Sequence, residues 1–224
     1  MKPEDKAPTA RFIFRPEHDH LLRAILMIVG LLGCVGMGVS AWFWQRPSWQ
    51  KVGVASEQPV PFSHKHHAGE LGIDCRYCHT GVETSSYAGV PPTETCMTCH
   101  SQLWTSAPLL EPVRESAQTN MPIRWQQVTA IPNYVYFNHS VHIARGVACM
   151  TCHGRIDEMP MTYQAIEMNM SWCLDCHRTP EKHLVPVSQV TKVAPDVTVG
   201  NPPEWHPLTG LEKARLTDCT VCHR

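Results

Sequence analysis

Ten of the eleven cysteines fall into five Cys-x-x-Cys pairs, and a histidine directly follows every pair. The groups are Cys75, Cys78 and His79; Cys96, Cys99 and His100; Cys149, Cys152 and His153; Cys173, Cys176 and His177; and Cys219, Cys222 and His223. Paired thiols alone suit disulfides in an exported domain, a structural zinc site or a redox dithiol. None of these needs an imidazole next to the second thiol. With 14 histidines in 224 residues, five such placements by chance have a probability on the order of 10⁻⁶, whereas covalent attachment of c-type haem requires each one. The two thiols add to the haem vinyl groups as thioethers, and the adjacent imidazole is held beneath the ring as proximal iron ligand. The pattern therefore implies five covalently bound haem c groups, with His79, His100, His153, His177 and His223 as proximal ligands.

A second histidine pattern precedes two of these motifs. Phe62-Ser63-His64-Lys65-His66-His67 matches Phe137-Asn138-His139-Ser140-Val141-His142, and 11 or 10 residues separate the first histidine from the next motif cysteine. Residues at i and i+3 share one side of a short helix. Each pair, His64/His67 and His139/His142, can thus present distal imidazoles to two neighbouring irons. His66 aligns with Val141 and is read as a non-ligand. The two pairs serve four irons and leave the fifth short of a distal group. The candidates are His183, His206 and several methionines, with Met170 favoured and Met159 next. A His/Met iron has a higher potential than a bis-His one, which would suit an exit haem.

The elements that carry these residues form a duplicated two-haem unit, 60–105 and 135–181, followed by a fifth motif at 219–223. Such repetition is organisational evidence. The 180 residues from 45 to 224 leave 36 per haem, and large apolar side chains are scarce, with five Phe and five Tyr against 19 Pro. The macrocycles themselves are then the interior. The expected fold is mainly irregular with short α-helices, and proline-rich connections at 107–132 and 184–207. Asp74, Asp175 and Asp218 read as solvated charges near haem propionates, with Arg76, Arg155 and Arg178 as propionate partners. Ahead of this domain, 24–44 is an uncharged run of 21 residues, and at about 1.5 Å per residue it matches the roughly 30 Å bilayer core. It is too long for a signal-peptide core and is expected to be retained as a single transmembrane helix. Lys2, Lys6, Arg11, Arg15 and Arg23 precede it, while only Arg46 and Lys51 follow closely. The positive-inside rule then keeps segment 1–23 cytoplasmic and exports 45–224 to the periplasm. Trp42, Phe43, Trp44 and Trp49 suit an interfacial aromatic belt. Gly30, Cys34 and Gly38 make one small-residue face, where Cys34 packs rather than reacts. A net charge of −1 gives no basic footprint for nucleic acid.

The stretches CRYCHTGVETSSYAGVPPTETCMTCHSQLW, YFNHSVHIARGVACMTCHGRIDEMP and WCLDCHRTPE, with the final CTVCHR, resemble the pentahaem cytochrome c subunit of alternative complex III. The resemblance covers roughly 60–181 and the last six residues, with all five motifs in order. More distantly, the Phe-x-His-x-x-His unit is similar to class III multihaem cytochromes. The resemblance implies a subunit of a menaquinol-oxidising complex in the inner membrane. Its partners there would be an iron–sulfur subunit of molybdopterin-enzyme ancestry, polysulfide-reductase-like quinol-binding subunits and a monohaem cytochrome. Electrons would pass from the iron–sulfur chain to a periplasmic carrier or an oxidase.

Three functions compete on the sequence: an electron-transfer subunit without substrate chemistry, a small membrane quinol dehydrogenase feeding a periplasmic reductase, and a multihaem reductase. The third needs an iron with an open or unusual axial ligand, whereas all five motifs end in histidine. The chain carries no phosphate loop, catalytic triad or carboxylate pair placed for acid–base work.

Overall fold

The computed structural model describes residues 18–44, 51–193, 199–200, 202–203 and 205–223. The chain divides into two units, Met1–Trp49 and Gln50–Arg224. In the first, one helix, α1 (Asp19–Trp44), spans 26 residues with none of its side chains buried. It is long and apolar enough to cross a membrane and begins five residues before the uncharged run. Asp19 sits in its first turn, where the helix dipole favours an anion, and pairs with Arg23 at 2.8 Å. Lys2, Lys6, Arg11, Arg15, Arg46 and Trp49 lie outside the described residues.

The second unit is a succession of short helices joined by irregular chain. In order they are α2 (Cys75–Cys78), α3 (Thr93–His100), α4 (Glu111–Thr119), α5 (His139–Ala144), α6 (Cys149–His153), α7 (Met170–Arg178), α8 (Gly210–Leu216) and α9 (Cys219–Cys222). A π-helical turn, Lys65–Glu70, precedes α2. Among the described residues there is no sheet, only isolated bridges such as Val52 with Gln164, Ala55 with Tyr163 and Val147 with Leu184.

Every Cys-x-x-Cys segment lies on a helix, and the start of several is fixed by a side chain. Asp74 caps α2 by accepting from the Arg76 N–H, Asp218 caps α9 by accepting from Thr220, and Asn169 caps α7 by accepting from Trp172. Each cap satisfies a backbone donor that a short helix would leave unpaired. The side-chain core is small, in keeping with the scarcity of large aromatic side chains in the sequence. Val82, Ile143, Ala148, Val185 and Val190 form it, with Ala88 and Cys149 packed alongside. The stretch 184–192, read from sequence as connecting chain, instead supplies two of the five core residues. Its backbone holds the third motif, with Cys149 N–H donating to Val190 O at 2.9 Å. Gly146 lets it approach: φ is +83°, and a Cβ there would collide with the Val185 carbonyl.

Candidate functional site

The sequence-predicted histidines come together in four facing pairs. The ring centroids of His64 and His79 are 6.4 Å apart, those of His67 and His100 6.3 Å, those of His139 and His153 6.5 Å, and those of His142 and His177 6.2 Å. Each pair joins one histidine ahead of a motif to one motif histidine. A metal–imidazole bond of about 2.0 Å, added to the ~1.1 Å from ring nitrogen to ring centre, puts two trans imidazoles at a centroid spacing of about 6.2 Å. The observed gaps match that spacing. Phe62 stacks on His67 at 4.4 Å, and Phe137 stacks on His142 at 4.5 Å. This is the local reason each distal turn begins with phenylalanine.

Most of the second ring nitrogens are also engaged. The Nδ1 atoms of His67, His79, His139, His142 and His177 lie 2.7–2.9 Å from the carbonyl oxygens of Ser63, Gly89, Ser86, Asn138 and Leu216. His100 and His223 reach the carbonyls of Leu103 and Tyr134 at 3.2 and 3.1 Å. A carbonyl only accepts, so Nδ1 must carry the proton and Nε2 keeps its lone pair for a metal. His64 differs, since its Nδ1 meets Thr162 Oγ1 at 2.8 Å. Burial, with neighbouring histidines adding to it, lowers His64 and His153 to about 4, and burial also lowers His142. These rings are thus neutral bases, the form that ligates. His66 behaves otherwise, pairing with Glu70 at 3.0 Å and stacking on Trp104 at 6.0 Å.

All eleven cysteines are unbridged. Burial pushes the thiols of Cys78, Cys96, Cys173 and Cys176 up, and that of Cys152 to about 12, the reverse of the lowered pKa a redox dithiol needs. Cys149 hydrogen-bonds Cys75, a contact that lowers the Cys75 thiol and raises that of Cys149. Among the described residues, no three His, Cys, Asp or Glu side chains converge as a metal-holding group. Facing imidazole pairs and helical thiol pairs are the donor set that covalent haem would require, and the residues fit it.

The sites adjoin one another. The helical turns carrying His64 with His67 and His139 with His142 each join two sites. The Cys75–Cys149 contact joins the first motif to the third, and the Cys173 thiol lies within electrostatic reach of Cys222. His223 packs beside the Tyr134 ring at 5.8 Å. Met170 opens α7 and is 68% exposed, whereas Met159 is 2% exposed. Arg76 pairs with Asp74 and Glu83, and Arg155 pairs with Asp157 and Glu158. Asp157 is 6% exposed, and the Arg155 guanidinium holds its carboxyl below the usual range.

Residues 43–109 match the Class III cytochrome C family, and residues 135–224 match cytochrome c7 and related cytochrome c. A subunit described as menaquinone reductase, multiheme cytochrome c subunit, from Nitratidesulfovibrio vulgaris, is 37% identical over 98 residues, which cover 43% of this chain and 46% of the relative. The chain thus spans about half the length of that relative. With each repeat matched to a cytochrome family and four imidazole pairs set at iron spacing, the second unit is a multihaem c-type cytochrome domain.

Proposed function

We propose that the protein is the electron-transfer subunit of a membrane complex acting on menaquinol. It would hold five haem c groups through Cys75/Cys78, Cys96/Cys99, Cys149/Cys152, Cys173/Cys176 and Cys219/Cys222. The axial pairs are His79 with His64, His100 with His67, His153 with His139 and His177 with His142. The single observation that carries this is the recurrence of one centroid spacing, 6.2–6.5 Å, in four independent pairs. Bound haem c supplies a one-electron Fe(III)/Fe(II) couple. The chain's own part is to fix the imidazoles, hold the tautomer of seven of them by a backbone carbonyl and of His64 by the Thr162 hydroxyl, and bring neighbouring sites into contact. His223 is the fifth proximal ligand. Met170 is the distal candidate, because it lies one helical turn before Cys173, whose thiol neighbours Cys222.

The resemblance to the pentahaem subunit of alternative complex III supports menaquinol as electron source. An iron–sulfur subunit would be the immediate donor, and a periplasmic carrier or an oxidase the acceptor. The apolar α1 and the basic residues ahead of it support an inner-membrane anchor with the haem domain periplasmic. A second reading reverses the flow, delivering electrons towards menaquinone, and the similarity to a menaquinone reductase subunit favours it.

Purification of the native complex tests the proposal. Mass spectrometry of the denatured chain should give the mass of five haems, and menaquinol should reduce them only with the partner subunits present. A different haem number would overturn the ligand assignment. Quinol oxidation by the isolated chain would make it a quinol dehydrogenase instead. Reduction by a periplasmic donor, with electrons then appearing on menaquinone, would select the reversed flow.

A further inference from the structure

Seven of the axial histidines named above are oriented by a peptide carbonyl, and His64 is oriented by a side chain. Its partner, Thr162, lies 98 residues away in the loop that follows the third motif. That loop is pinned on both sides of Thr162. Before it, Met159 is buried and its carbonyl accepts from Lys65 N–H at 3.0 Å. After it, Tyr163 and Gln164 bridge to Ala55 and Val52, with Gly53 N–H donating to Gln164 O at 2.8 Å. Thr162 Oγ1 is therefore held against the His64 ring by backbone on either side.

We infer that Thr162 is a positioning residue for His64 and sets the donor strength of that imidazole towards iron. The inference rests on His64 and His79 being the axial pair of one haem. A hydroxyl can donate as well as accept. For His64 to ligate through Nε2, Thr162 must accept from Nδ1–H and send its own proton elsewhere. A hydrogen-bonded Nδ1–H makes the ring a stronger donor, which favours Fe(III) and lowers the potential. A threonine hydroxyl is a weaker acceptor than a peptide carbonyl. The His64 site therefore has a higher potential than an otherwise equal site with a carbonyl in that place.

The test is an EPR-monitored redox titration of the full-length, haem-loaded protein with Thr162→Val and Thr162→Ser. Valine keeps the shape and removes the acceptor, whereas serine keeps the acceptor. Thr162→Val should move the midpoint of one low-spin haem to higher potential and alter its g values, leaving the haem content and the other midpoints as in wild type. Thr162→Ser should restore both. A Thr162→Val titration that superimposes on wild type overturns the assignment, as does a uniform shift of every haem or a serine variant that behaves like valine. If wild type itself lacks a low-spin signal from near-parallel imidazoles, the axial pairing fails, and this inference fails with it.

Discussion

The Nδ1–H of His139 donates to the carbonyl of Ser86, 2.9 Å away and 53 residues earlier. The bond crosses between the repeats, because Ser86 lies in the loop behind the first motif and His139 opens the second distal turn. The His64–Thr162 contact runs the other way, from the first distal turn to the loop behind the third motif. Each repeat thus orients the leading histidine of the other's Phe-x-His-x-x-His turn. A chain cut after residue 130 should therefore hold its first haem poorly. The expected outcome is a high-spin fraction in that fragment's optical spectrum that the whole domain lacks. A fully low-spin fragment would show that the repeats are self-sufficient.

The ring planes differ from pair to pair. His64/His79 and His139/His153 are within 7° of parallel, His142/His177 are 35° apart and His67/His100 are 66° apart. Parallel axial imidazoles split the iron d orbitals strongly and give rhombic low-spin EPR signals. Crossed ones give a signal dominated by one large g value. The oxidised protein should show two rhombic species from the near-parallel pairs and one of the large-g type from His67/His100, with the His142/His177 species between them. Replacing His67 by alanine should remove the large-g species and leave the rhombic pair. Its persistence in that variant would place His67 elsewhere.

The proposed ligands were legible in the sequence because the chemistry of haem attachment forces their spacing. Five Cys-x-x-Cys-His motifs and two Phe-x-His-x-x-His turns carry their meaning in contiguous residues, and the short helices follow. Their supports were not legible, since a carbonyl acceptor such as Ser86 or Leu216 leaves no residue-type signature. Thr162 and the stretch 184–192 act through contacts that only the folded chain creates. The caps Asp74, Asp218 and Asn169 did leave a local signal, an Asp or Asn just ahead of a short helix. Reading the two aspartates only as charges near propionates missed it.

Gly69 sits in the π-helical turn against the 156–158 segment, where a Cβ would collide with the Asp157 backbone carbonyl. Backbone cannot swing aside as a side chain can, so Gly69→Ala must push the turn away from that segment. Overpacking of this kind costs about 1–3 kcal/mol. Because the same turn carries His67, the variant should lose thermal stability and low-spin character at the His67 site together. An unchanged melting midpoint would show that the turn is free to shift.

The Asp74 carboxylate accepts from the Arg76 backbone N–H and guanidinium and from Thr191, which ties α2 to the stretch beside the third motif. Hydrogen bonding from Arg76 lowers its pKa from 3.8 to about 2. A carboxylate with a depressed folded pKa stabilises above its unfolded pKa, and that contribution fades as pH falls through the folded one. The stability due to Asp74 is thus complete above about pH 4 and is lost as pH approaches 2. Asp74→Ala should cost about 1 kcal/mol at neutral pH through the lost cap. Its unfolding curve should also depend less on pH between 4 and 2 than wild type does. Parallel acid profiles for the two proteins would remove Asp74 from the account.

Met170 is 68% exposed at the first position of α7, the helix that also carries Cys173 and His177. An exposed methionine contributes little by burial, so replacing it with leucine should leave folding unchanged. If its thioether is the distal ligand opposite His223, the same change removes one axial bond. A thioether donates less charge to Fe(III) than an imidazole, so a His/Met site titrates at higher potential than bis-His sites. Met170→Leu should then abolish the highest-potential step in a redox titration and leave four haems unaltered. Met170→His should lower that step instead, because a second imidazole favours the oxidised iron. If neither variant moves it, the distal ligand of the fifth haem lies elsewhere.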